Sequence, residues 1–109
     1  MPWLQLLAYF FGGAALMNSV PHLVSGTAGR PFQSPFASPP GEGLSSSTVN
    51  LLWGFSNLIL SYLLVCRVGN FDPRNDADAV ALGLGMLLSG FHLARHFGRF
   101  HGGNRPKQP

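Results

Sequence analysis

The chain has 109 residues, room for one domain. Only 10% of them are charged, against roughly 25% in an ordinary soluble domain. Seven Lys/Arg against four Asp/Glu give a net charge of +3, and the single cysteine, Cys66, excludes an intrachain disulfide and a cysteine metal cluster.

The charges are unevenly placed. None precedes Arg30, none lies between Glu42 and Arg67, and none lies between Asp78 and Arg95. Each interval contains about the 20 apolar-rich residues that cross ~30 Å of hydrocarbon. The pattern predicts an all-α integral membrane bundle of three transmembrane helices, over about 3–25, 48–68 and 77–97, within one membrane domain over 1–98. A basic, flexible tail is expected over 99–109. The first stretch lacks the basic start and small-x-small cleavage site of a signal peptide, so it reads as a helix. The mean hydropathy of +0.19 reflects dilution by loop and tail.

In the first helix, Trp3 and Tyr9 suit a membrane interface. Pro21 removes a backbone donor and frees the carbonyl of Met17, which predicts a kink near Asn18. The long loop from Gly26 to Ser47 between helices 1 and 2 is rich in Pro and Phe: Arg30-Pro-Phe-Gln-Ser-Pro-Phe36, then Pro39-Pro40-Gly41. Such dense proline forbids a continuing helix and stiffens the chain. The loop reads either as a layer on the interface or as a solvent linker. In the second helix Ser47 is the expected N-cap, and Gly69 a left-handed close. For the third, Asp72 is the expected cap, Pro73 the first position, Asp76 and Asp78 the first turn, and Gly98 the stop.

Each helix carries a small or polar stripe at steps of three and four. The stripes are Ala8, Gly12, Ala15, Ser19 and His22; Asn50, Gly54, Asn57 and Ser61; and Ala81, Gly85, Ser89, His92 and His96. Lipid provides no hydrophobic drive between helices, so association relies on close approach at small residues and on interhelical hydrogen bonds. The stripes are therefore expected to pack the helices together, or to pack copies of the chain.

Three spans would bring His22, His92, His96 and Asn50 toward one surface. His92 and His96, four apart, share a face, and with His22 they make a candidate set of three nitrogen ligands for a metal. A lipophilic ligand with a polar head is the other candidate, held by His22, Asn18, Asn50, Asn57 and Arg95 beneath the loop. No cofactor is specified. Arg30, Arg95, Arg99, Arg105 and Lys107 on one side, against Arg67 and Arg74 on the other, predict a cytoplasmic loop and C-terminus with the N-terminus outside.

The sequence lacks a Gly-rich phosphate loop and an intramembrane Asp or Glu, so nucleotide hydrolysis and proton-coupled transport are disfavoured. Its cations flank apolar segments, which points to lipid headgroups as partner and away from nucleic acid. The expected function is that of a small non-enzymatic membrane protein, a subunit or partner in a membrane complex, or a homo-oligomer. The alternative is ligand or metal binding through the His/Asn cluster, with enzymatic activity left open.

The run Asn18-x-x-Pro21-His22, Arg30-Pro-Phe-x-x-Pro-Phe36, Pro39-Pro-Gly-x-Gly-Leu-Ser-Ser-Ser47 and Asn50-x-x-Trp53-Gly54 resembles a family of small uncharacterised bacterial inner-membrane proteins. The likeness extends to the Ala-Arg-His-Phe end of the third helix. It implies a bacterial multi-span membrane protein and supplies no activity or site residue.

Overall fold

Two side chains start the later helices. Ser46 Oγ accepts from the Val49 amide at 3.1 Å, one residue earlier than the expected cap. Asn75 Oδ1 accepts from the Asp78 amide at 3.1 Å, while Asp72, the expected cap, accepts from the Arg74 amide within the preceding turn. The computed structural model describes residues 2–107. Its elements are α1 (Pro2–Thr27), β1 (Phe32–Gln33), β2 (Leu44–Ser45), α2 (Ser47–Tyr62), continued by a π-helical segment (Leu63–Val68), and α3 (Asp76–His101).

Pro21 lies inside a continuous α1. Gly69 is extended, at φ −90° and ψ −178°, and so is not a left-handed close. An added Cβ there would strike the ring of Tyr9, so the residue answers to space rather than to handedness. The third helix passes Gly98 and ends at Gly102, whose φ of 71° is the left-handed stop. Residues 99–101 are thus helix, not tail.

α1 is the middle element, with α2 and α3 packed on separate flanks. α2 runs antiparallel to it: Gly54 lies against Leu23 and Gly12 against Leu64 and Val65. α3 runs parallel to it. Gly85 abuts the Phe10 carbonyl, Gly90 abuts the Met17 side chain, and Ser89 Oγ–H donates to the Ala14 carbonyl at 3.0 Å. The small stripes on all three helices are what allow these approaches, as expected for packing without a large apolar core.

The expected all-α bundle of three transmembrane helices is corrected on two counts. First, among the described residues two helices are long and apolar enough to cross a membrane, Ser47–Val68 and Asp76–His101, and α1 is not among them. Gln5, Gly12, Gly13, Asn18, Ser19, Pro21 and His22 dilute its apolar content. Of these, Gly12, Gly13, Ser19 and His22 are buried on a helix that packs against both others. Second, the loop is not irregular throughout. β1 and β2 pair antiparallel, with Phe32 opposite Ser45 and Gln33 opposite Leu44. Pro31 and Pro35 flank β1 and bias the residues before them, Arg30 and Ser34, toward extended backbone.

The interior is polar. Ser19, His22, Ser25, Gln33, Ser34, Asn50, Asn57 and Ser61 are buried, whereas the buried apolar side chains are Ala8, Tyr9 and Ala15. Large apolar side chains point outward along both candidate spans, among them Leu52, Phe55 and Ile59 on α2 and Leu84, Leu87 and Phe91 on α3.

Candidate functional site

The antiparallel register of α1 and α2 turns Asn18 and His22 toward Asn57 and Asn50. His22 is 2% exposed and Asn50 fully buried. The Nδ1–H of His22 donates to Asn50 Oδ1 at 2.7 Å. The amide nitrogen of Asn50 then donates to the carbonyls of Phe32, Ser45 and Ser46 at 3.0–3.2 Å. One side chain therefore ties α1, both short strands and the start of α2. A second rung lies further along the seam: Asn18 Nδ2–H donates to Asn57 Oδ1 at 3.1 Å, and Asn57 Nδ2–H to the Trp53 carbonyl at 2.9 Å. Among the described residues, every fully buried side-chain polar atom has a partner. In a low-dielectric setting a satisfied network of this kind specifies register, and an unsatisfied one is costly.

Aromatic rings close around His22. Phe32, Trp53 and Phe97 meet it edge to face, with centroids 5.7, 6.4 and 5.9 Å away. Phe32 also packs on Phe97 and stacks flat on His101, at 4.7 and 5.2 Å. The Pro/Phe loop is thus a cover on the helix ends. Three polar contacts with α3 hold it. His96 Nε2–H donates to the Gly41 carbonyl at 2.7 Å, His101 Nε2–H donates to Gln33 Oε1 at 3.0 Å, and Arg99 pairs with Glu42 at 3.3 Å.

The three histidines expected to share a metal take different roles. His22 faces the α1–α2 seam and His96 holds the loop, while His92 is exposed and stacks beside His96 at 6.0 Å. Among the described residues, no three His, Cys, Asp or Glu side chains are placed to hold a metal ion.

The expected ligand set also divides. Asn18, His22, Asn50 and Asn57 form the seam. Arg95 lies instead on α3, 5.9 Å over the Phe91 ring, and lines an open cleft of about 780 Å³. Leu88, Phe91, His92, His96, Arg99, Asn104 and Arg105 line the same cleft.

Among the loop's anchors, Phe32 is marked out by the sequence as an apolar residue in a proline-rich loop. Gln33 and His101 carry no such signal, because only the fold brings them together. Tyr9, expected at a membrane interface, is instead 1% exposed, and its hydroxyl accepts from the Asn70 amide at 2.9 Å.

No family model, curated protein or solved structure matches the chain.

Proposed function

We propose that this is a small bacterial inner-membrane protein with a non-enzymatic role, a subunit or interaction partner within a membrane complex. The observation that carries the reading is the distribution of polarity. Hydrogen-bonded Asn, His and Ser side chains fill the interior, and large apolar side chains cover the outer faces of the two helices long enough to cross a bilayer. Water would select the opposite arrangement, since wide exposed apolar surface marks a membrane or partner contact. The polar groups of the α1–α2 seam are engaged with one another, so they serve packing rather than turnover.

In this reading the loop and the C-terminal end of α3, with Arg30, Arg95, Arg99, Arg105 and Lys107, face the cytoplasm. Arg67 and Arg74 mark the outer side.

The test is fractionation of bacteria expressing the full chain. The expected result is recovery in the membrane pellet after alkaline carbonate washing, and release only by detergent. Recovery in the soluble fraction would sink the membrane reading. The complex reading is tested separately by in-membrane crosslinking followed by native electrophoresis in mild detergent. A species larger than the monomer is expected, and a monomer at every crosslinker concentration counts against it.

A further inference from the structure

Beside α3, at the loop-covered end of the molecule, lies the cleft that the proposed role does not use. Its construction depends on the turn after the helix. Gly102 is left-handed, and the Gly103 amide donates back to the Gly98 carbonyl at 3.1 Å. The chain reverses there, setting Asn104 against Gly98 and bringing Arg105 into the same cleft as Arg95.

The cations in the cleft are not equivalent. Arg99 has a carboxylate partner in Glu42. Among the described residues, Arg95 and Arg105 have no such partner, and Arg95 is exposed. Two uncompensated guanidinium groups, able to fork two oxygens each, suit a phosphate better than they suit one another.

Toward the start of α3, Leu88 and Phe91 line the cleft beside His92, and they continue an exposed apolar flank of α3 that begins at Val80. From Asp78 to Arg95 the helix rises about 26 Å at 1.5 Å per residue, close to the full hydrocarbon core of about 30 Å. With Asp76 and Asp78 at one surface in the membrane reading, Arg95 lies near the other, and the cationic and apolar parts of the cleft meet close to the level where a lipid headgroup joins its chains.

We propose that this cleft binds one anionic phospholipid. Arg95 and Arg105 hold its phosphate, and an acyl chain lies along Leu88 and the exposed flank of α3. The inference rests on the membrane reading above. Ordinary snorkelling of arginine to the headgroup layer would ask for neither the chain reversal at Gly102 nor a shared cleft. A free phosphate would make no use of the apolar half, and a nucleic acid would be expected to favour a basic face without it.

The test uses full-length protein, purified in detergent and titrated with phosphatidylglycerol or with phosphatidylcholine, with bound lipid counted by native mass spectrometry. One phosphatidylglycerol per chain is expected, at least roughly tenfold tighter than phosphatidylcholine. The Arg95→Gln/Arg105→Gln variant is expected to bind phosphatidylglycerol roughly thirtyfold more weakly, two surface cations being worth about 1 kcal/mol each and 1.4 kcal/mol a factor of ten. The Arg30→Gln/Arg74→Gln variant carries the same net charge and is expected to bind like wild type. Equal weakening in both variants, or no preference between the two lipids, overturns the site. Displacement of the lipid by millimolar inorganic phosphate or by an RNA oligonucleotide overturns its assignment to a phospholipid. Fractionation of the same cells separates the two ideas: a chain soluble without detergent refutes the membrane reading, whereas a detergent-requiring chain indifferent to phosphatidylglycerol refutes this site alone.

Discussion

Among the described residues, Asn50 makes more side-chain hydrogen bonds than any other. It is fully buried, receives one hydrogen bond from His22 and gives its amide protons to three backbone carbonyls. Truncation would strand the His22 N–H and take the side-chain donor from the Phe32 and Ser45 carbonyls, while the Ser46 carbonyl keeps its bond from the residue-50 backbone N–H; an unsatisfied buried group costs about 1–3 kcal/mol. Asn50→Ala is therefore expected to lower stability by about 2 kcal/mol or more. Asn57→Ala removes a single interhelical bond, worth about 0.6–1.7 kcal/mol in a membrane protein. Thermal unfolding in detergent, followed by circular dichroism, compares the two; an Asn50 variant no less stable than the Asn57 variant would refute the ranking. Asn50→Asp is a sharper probe, because a carboxylate still accepts from His22 but cannot donate to Phe32, Ser45 and Ser46. It is expected to resemble Asn50→Ala.

At the scale of elements, two glycines of α3 separate propensity from packing. Gly83 meets nothing within 4 Å, while a Cβ on Gly85 would run into the Phe10 carbonyl of α1. Gly83→Ala is expected to stabilise by about 0.5–1 kcal/mol, the helix penalty of glycine. Gly85→Ala is expected to destabilise by about 1–3 kcal/mol, because α1 and α3 must part. Opposite shifts in the unfolding midpoint confirm the register, and shifts of the same sign contradict it. The loop supplies another test at this scale. Phe32 touches His22, Phe97 and His101, so Phe32→Ala should raise hydrogen exchange over residues 30–46 while leaving α2 and α3 protected. Unchanged exchange in the loop would mean that its polar ties to α3 suffice.

At the scale of the whole molecule, antiparallel α2 and α3 put Cys66 and the turn at Gly102 at opposite ends. Cys66 is exposed. In the proposed topology, an impermeant maleimide applied to intact spheroplasts should label Cys66 and should spare Gly103→Cys in a Cys66→Ser background until the membrane is opened. Labelling of both from one side would exclude a membrane crossing between them. The same axis explains why the polar contacts of the loop gather at one end: α1 and α3 finish there and α2 begins there, so three sets of backbone groups converge where the cover lies.

Much of this was legible from residue spacing. Steps of three and four marked the faces that pack, and helical geometry is local enough for such spacing to carry meaning. Asn18, His22, Asn50 and Asn57 could be singled out because polar residues in apolar helices need partners, and Gly85 and Ser89 because close approach needs small side chains. Charge-free length located the two candidate spans but also marked 3–25 as a third, which the structure does not support. The central position of α1 was not legible, and with it went the reason that its composition falls short of a span. Which helix sits in the middle depends on how faces pair, and several pairings satisfy the same stripes. The division of the histidines was hidden for a similar reason. His22, His92 and His96 look alike as spacings, but a loop-to-helix register assigned Gly41 to His96, and an α1–α2 register assigned Asn50 to His22. The sequence alone marked most of the residues that lie between helices, through local periodicity, with His92 on the α3 stripe the exception, since it is exposed. Only the tertiary structure decided which of them meet, because contacts between Gly41 and His96 or between Gln33 and His101 join residues 55 and 68 positions apart, a separation across which local physics imposes no rule.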